Sequence, residues 1–339
     1  MLDDYLMKSK HIHVMLPGLG HVPETWLASG DYAAQLLRIA DAYPNTYTQP
    51  WDKLAVLLNL EPPLPAAAIL ADVYQQPQGY YLIAELTEFK ADLTTVFCLG
   101  KHHLHVTDEE ARSLIQDVQK LLPLDVTVKL LMTNTWLVKM QRPIQLVTVP
   151  LTNILNKQVP TPIMSGKDST QWQRLQTELQ MVWHASSINQ QRQAANLPLI
   201  NALWLSGEGE LPRVQSTAKW QYAWTDDAVT ESLLAWAGCQ VLPFKKNHPF
   251  QIPTFAANWQ GLVVINQLLE AELTPDSWQQ QLYQLDQQLF KPLLVALQEK
   301  QLTKISIWLG GEKSYVITRG HRWRFWRRQR SLSDYWRPS

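Results

Sequence analysis

The chain has 339 residues, 30 of them Lys or Arg and 30 Asp or Glu, so its formal net charge is zero. Charged residues make up 18%, below the roughly 25% of an average soluble domain, and 46% are hydrophobic. That composition excludes a disordered chain. Two cysteines, Cys98 and Cys239, exclude a disulfide framework and fit a reducing compartment.

The N-terminus is acidic at Asp3 and Asp4, where a secretory signal needs positive charge. No apolar run approaches the roughly 18 residues of a membrane span, so the cytoplasm is the expected location. His11 to Leu16 is a short apolar run predicting a buried strand that ends in a turn at Pro17-Gly18-Leu19-Gly20. Helical spacing follows over Asp31 to Ala42 and Trp51 to Leu60, and Pro62, Pro63 and Pro65 break it. Strands are expected at Tyr80 to Leu86 and Thr94 to Leu99. Thr107, with Glu110 three residues later, predicts a capping box opening a helix to Leu122. Asp125 to Met132 and Thr135 to Met140 read as a strand pair.

Beyond a Pro-punctuated stretch, Asp168 opens a helix reaching His184, and a second helix runs from Ile188 to Ala195. Asn201 to Ser206 is a strand ending in Gly207-Glu208-Gly209. A helix (Asp226 to Ala237), two strands (Cys239 to Leu242, Leu262 to Ile265) and a long helix (Pro275 to Lys300, with Pro292 inside) come next. Strands at Ile305 to Leu309 and Ser314 to Thr318 complete the set. The alternation predicts an α/β fold, a mainly parallel sheet flanked by helices, with a strand-rich inserted subdomain. The boundaries expected are 1–78 and 166–318 for the two parts of the core, 79–165 for the insertion and 319–339 for a tail.

The first turn suggests an α/β-hydrolase, but no serine carries the flanking glycines of a nucleophile elbow. A dinucleotide fingerprint would need glycine where Pro23 stands. More specific is the string from Asn189 to Arg192 followed by Leu197-Pro198-Leu199-Ile200-Asn201-Ala202-Leu203-Trp204-Leu205-Ser206-Gly207-Glu208-Gly209-Glu210-Leu211-Pro212. It resembles the corresponding block of the archaeal-type cofactor-independent phosphoglycerate mutases and, more closely, of the RpfE-like regulatory proteins related to them. Glu178-Leu179-Gln180-Met181 before His184, Leu285-Asp286 and the segment Trp323 to Arg328 resemble further elements of these families in the same order.

The resemblance implies the alkaline-phosphatase-like superfamily, with two divalent metals held by Asp and His and a Ser or Thr carrying the phosphoryl group. This chain departs from that pattern. Pro17 ends the first strand where the mutases have Asp, Pro150-Leu151-Thr152 replaces a Pro-His-Asp element, and Gly310-Gly311-Glu312-Lys313 replaces a late Asp-His pair. A mutase-like protein without metal or transfer residues is therefore expected, acting by binding in a regulatory role and needing no cofactor. Its pocket is expected near Gly18, Gly20, His21, Gly207, Glu208 and Gly209, lined by His184, Asn189, Arg192 and Asn201. Arg192 is the expected anion contact, and the expected partner is a phosphorylated small molecule or another protein. The alternative is a phosphomutase or phosphatase holding Mn or Zn through Glu85, Glu88, His184 and Glu208.

His102, His103 and His105, with His11 and His13, invite a metal assignment, but a histidine tract without Cys or Asp partners fits exposed turns as well. From Lys300 onward ten basic residues face only Glu312 and Asp334, a surplus of eight balanced by the rest of the chain. In this tail Arg322, Arg324, Arg327 and Arg328 interleave with tryptophan, which suits an anionic surface or nucleic acid. The favoured expectation is a strand docked on the acidic body, with Trp323 and Phe325 buried. The other tryptophans of the fifteen are expected in the core.

Overall fold

The computed structural model describes residues 9–17, 31–91, 95–155, 157–213, 219–245, 248–253, 258–266, 274–324, 326–328, 330 and 332–336. In chain order the elements begin with β1 (Lys10–Met15), α1 (Asp31–Ile39), β2 (Asp41–Pro44), α2 (Pro50–Leu57) and α3 (Ala66–Val73). Next come β3 (Tyr80–Ala91), β4 (Val96–Leu99), α4 (Asp108–Leu121), β5 (Val126–Met132), β6 (Thr135–Met140), α5 (Ser169–His184), α6 (Ser187–Ala194) and β7 (Ala202–Gly209). The chain closes with β8 (Tyr222–Thr225), α7 (Ala228–Trp236), β9 (Gln240–Pro243), β10 (Trp259–Val264), α8 (Pro275–Leu285), α9 (Lys291–Gln298), β11 (Lys304–Trp308), β12 (Lys313–Thr318) and α10 (Leu332–Trp336). They form two compact units. One draws on the described residues of Met1–Leu60, Ser216–Leu268 and Leu273–Ser339, the other on those of Glu61–Gln215.

The first unit is built on a seven-stranded sheet in the order β2-β12-β11-β1-β10-β8-β9. Strands β11, β1, β10, β8 and β9 are parallel, while β12 and β2 add an antiparallel edge. Strand β1 is central and buried on both faces, which is why it reads as an apolar run rather than an alternation. Pro292 does not break the long helix. A π-helical turn over Asp286–Phe290 joins α8 to α9. Proline has no N–H for the carbonyl four residues back, and the Gln288 carbonyl accepts instead from the Phe250 amide at 2.7 Å. The same turn carries Asp286, buried, whose carboxylate accepts the Tyr32 and Ala33 amides at 3.2 and 2.8 Å in the first turn of α1.

The second unit is an antiparallel sheet, β4-β3-β6-β5, with β7 paired to β3. Alternate residues, Leu82, Ala84 and Leu86 of β3, Trp136 and Val138 of β6, and Leu203 and Leu205 of β7, share one apolar core. Leu114 and Val118 of α4 and Trp172, Leu179 and Trp183 of α5 close it. Each such fully buried side chain contributes roughly 1.5–3 kcal/mol. Helix α3 packs against β3 and β7. The unit is wider than the insertion expected at 79–165, because β3 requires β7 as its ladder partner. That pairing brings α5, α6 and β7 into this unit, and α3 at its start.

Two further expectations change. The tail forms a 3-10 turn over Arg319–Trp323 rather than a strand, and Trp323 is exposed; Phe325 lies outside the described residues. His11 and His13 are buried on β1, not in exposed turns. Cys98 and Cys239 are buried as expected, as are Trp136, Trp183, Trp204, Trp220, Trp259, Trp278 and Trp308.

Candidate functional site

Helix α5 places Thr177, Gln180, Met181 and His184 on one face, at spacings of three and four residues. Opposite them lie Phe89 and Ala91 at the end of β3, Val96 at the start of β4, and the segment from Gln158 to Ile163. These walls line an open cavity of about 850 Å³ in the second unit, within the size range of small-molecule pockets. His184 and Asn201 both line it. Of the residues expected to form a pocket, these two are brought together. The face of α5 that completes the wall is visible in the sequence only as a helical repeat of Thr, Gln, Met and His.

Asn201 is already engaged. Its side-chain carbonyl accepts the Phe89 amide at 2.7 Å, and its amide donates to the Phe89 carbonyl at 2.9 Å. It thus extends the β3–β7 ladder by one residue pair and holds one cavity wall. Asn189 is buried and donates to the Trp183 and Ile200 carbonyls, both at 2.8 Å, while accepting the Ile200 amide at 3.0 Å.

Arg192 corrects the expectation of an anion contact. It is 2% exposed, and each of its three nitrogens donates to the protein: Nε to the Pro198 carbonyl at 2.7 Å, one Nη to Glu110 at 2.8 Å, the other to the Leu104 carbonyl. Glu110 also completes the capping box with Thr107 at the start of α4. Backbone and Arg192 hydrogen bonds hold its carboxyl below the usual range in spite of burial, which acts the other way.

The Gly207-Glu208-Gly209 run is a β-bulge. Ile83 pairs with Ser206 but Tyr81 pairs with Gly209, so two residues of β7 oppose one of β3. Gly207 takes φ +67° and Gly209 φ +151°, and a Cβ on Gly209 would lie 2.7 Å from that of Pro65. Backbone geometry accounts for both glycines. Glu208 accepts the Thr148 amide at 3.1 Å and the Thr148 hydroxyl. Gly18, Gly20 and His21 lie outside the described residues.

The alternative metal ligands do not converge. Glu85 is buried in an ion pair with Lys101, and Glu88 meets His103 at 2.9 Å. Glu208 is taken by Thr148, and His184 lines the cavity. Among the described residues no group of three His, Cys, Asp or Glu side chains is placed to hold a metal ion, so these residues do not fit a Mn or Zn centre. Burial pushes the thiols of Cys98 and Cys239 up to about 12 and about 11, away from nucleophilic reactivity.

The fold is a mixed α/β architecture with one largely parallel and one antiparallel sheet. No protein-family model matches the chain, and no curated protein matches it. Solved structures to which it is similar include the following two. The PH0037 protein of Pyrococcus horikoshii aligns over 92% of this chain and 88% of its own, at 12% identity and a TM-score of 0.48. The cofactor-independent phosphoglycerate mutase of Thermoplasma acidophilum DSM 1728 aligns over 96% and 94%, at 13% identity and a TM-score of 0.45. Likeness at this level carries neither a residue role nor an activity to this chain. No described helix is long and apolar enough to cross a membrane.

Proposed function

We propose that this chain is a ligand-binding, regulatory protein on a mutase-like scaffold rather than a catalyst of phosphoryl transfer, a pseudoenzyme akin to the RpfE-like proteins its sequence resembles. One observation carries the proposal. The carboxylates that the alternative would use as metal ligands are engaged by protein partners, Glu85 with Lys101, Glu88 with His103 and Glu208 with Thr148. His184, by contrast, faces a cavity. That cavity's described lining carries no Lys or Arg to neutralise a phosphate, so it suits a neutral amphipathic molecule better than a phosphorylated one. Phe89, Val96, Ile163 and Met181 supply apolar contact, and Thr161, Thr177 and Gln180 supply hydrogen bonds. The two buried, unbridged cysteines suit the cytoplasm.

The test is elemental analysis of the purified protein together with a 3-phosphoglycerate turnover assay in added Mn and Zn. The expected result is no stoichiometric metal and no turnover, with His184→Ala indistinguishable from wild type. Stoichiometric metal with turnover abolished by His184→Ala would establish the enzyme instead.

A further inference from the structure

Within the tail, arginines divide into two sets. Arg324 donates to both carboxylate oxygens of Asp41, at 2.6 and 3.1 Å, and to the Ile39 carbonyl at 3.2 Å. Arg327 donates to the Ala40 carbonyl at 2.6 Å and to Asp41 at 3.1 Å. Arg319 donates to the Leu302 and Lys300 carbonyls. This first set fastens the segment to the first unit. Arg328 and Arg330 are exposed, and the Arg322 guanidinium lies over the Trp323 ring, 4.8 Å from its centroid.

The tryptophans divide in the same way. Seven are buried below 2% exposure, whereas Trp323 and Trp326 are 62% and 69% exposed, the two exposed tryptophans among the described residues. An indole in water at the end of a fastened segment is a poor use of a large apolar ring unless something covers it. Tyr43, two residues along β2 from Asp41 and so on the same strand face, is 52% exposed as well.

We propose that this segment is a peripheral attachment site for an anionic phospholipid surface. Indoles partition to the boundary of headgroups and acyl chains, with the ring in the apolar layer and the N–H among the headgroups. Arg322, Arg328 and Arg330 then meet lipid phosphates, which guanidinium groups bind bidentately. The surplus of eight positive charges from Lys300 onward gives the complementary field, since Asp41 offsets only part of it. A single-stranded nucleic acid needs open ring faces for base stacking, and one face of Trp323 is taken by Arg322. In a bilayer interface the stacked guanidinium and indole enter together, with guanidinium N–H groups still directed to phosphate. The attachment is independent of the cavity and stands or falls separately from it.

Flotation of the full-length protein with vesicles tests this, using phosphatidylglycerol mixed with phosphatidylcholine against phosphatidylcholine alone. The wild type is expected to float with the anionic vesicles and to be released by molar salt. R322Q/R328Q/R330Q is expected to bind about a hundredfold more weakly. W323A/W326A is expected to lose about tenfold, with circular dichroism unchanged in both because the substituted side chains are on the surface. Failure of the wild type to float, an equal response to the two vesicle types, or undiminished flotation of both folded variants overturns the proposal. So does binding of a single-stranded oligothymidine that displaces the protein from vesicles. The wild-type comparison decides without the variants should either fail to fold.

Discussion

His11 and His13 stand two residues apart on the central strand, so their rings share one face of the sheet, and the indole of Trp220 touches both with centroids 5.8 and 5.7 Å away. His11 bonds the Ser306 hydroxyl at 3.0 Å, while His13 Nε2 has no partner among the described residues. Burial, reinforced by Lys304 and Lys219, lowers His11 to about 3; burial, with His11, Lys53, Lys219 and Lys304, takes His13 well below its ordinary value. The unfolded chain protonates both near pH 6.5, so below about pH 6.5 it binds protons that the folded chain does not, for His11 down to about pH 3. Stability contributed by the neutral pair is complete above about pH 6.5 and is lost as pH falls below it, at about 1 kcal/mol per unit for each histidine. Urea unfolding at about pH 7.5 and about pH 5 should show that slope, and His13→Leu should roughly halve it. A slope unchanged by His13→Leu would mean that other groups produce it. The apolar run from His11 to Leu16 predicts a buried strand, but nothing in it shows whether its histidines are neutral or join the 102–105 tract at a metal. A strand position buried on both faces can hold histidine only if it stays neutral, and that condition is set by neighbours nearly 300 residues away.

Helix α6 depends on Arg192 in the same non-local way. Its guanidinium ties α6 to Glu110 at the N-terminus of α4 and to the carbonyls of Leu104 and Pro198. Removing it leaves two carbonyls without their donor and the half-buried Glu110 without one of its partners, and a buried acceptor left unsatisfied costs about 1–3 kcal/mol. Arg192→Ala should lower the denaturant midpoint accordingly, and Arg192→Lys should recover only part because an ammonium cannot reach three divergent acceptors. An anion contact would behave differently, with stability intact and only binding lost. Elements with local signatures were legible: the capping box of α4, the β5–β6 hairpin and the amphipathic α5 all stand where their residues predict. Strands β2 and β8 are only four residues each, and α3 is buried throughout Ala66 to Ala71, so no polar face alternates with an apolar one to mark a helix. For the site, His184 and Asn201 line a cavity, but one whose described lining leaves out Gly207, Glu208 and Gly209, the turn at which the pocket is expected from the sequence. The roles of Gly207, Gly209 and Arg192 were not legible, because a bulge and a buried brace use the same residue types as a ligand loop.

Across the whole molecule, the balance of 30 basic against 30 acidic residues conceals a partition of charge along the chain. Part of that partition is closed by a single carboxylate. Asp41 meets Arg324, Arg327 and His321, and the arginine hydrogen bonds hold its carboxyl below the ordinary range. Bonds shared this way are cooperative, since losing Asp41 removes a partner from three side chains together. Tyr315 adds a second tie through its hydroxyl to the Tyr335 carbonyl. Two fastenings of unequal kind predict a graded release. In Asp41→Ala, trypsin should cut after Arg322, Arg324 and Arg327 about five- to thirtyfold faster than in wild type, because cleavage follows the open population. Molar salt should move the wild type part of the way toward the variant by screening a carboxylate that is one-third exposed. Sites in the second unit should be cut at unchanged rates, which separates tail release from general unfolding. Equal tail cleavage in variant and wild type would show that the arginine–carbonyl bonds and the tyrosine contact hold the segment without the carboxylate.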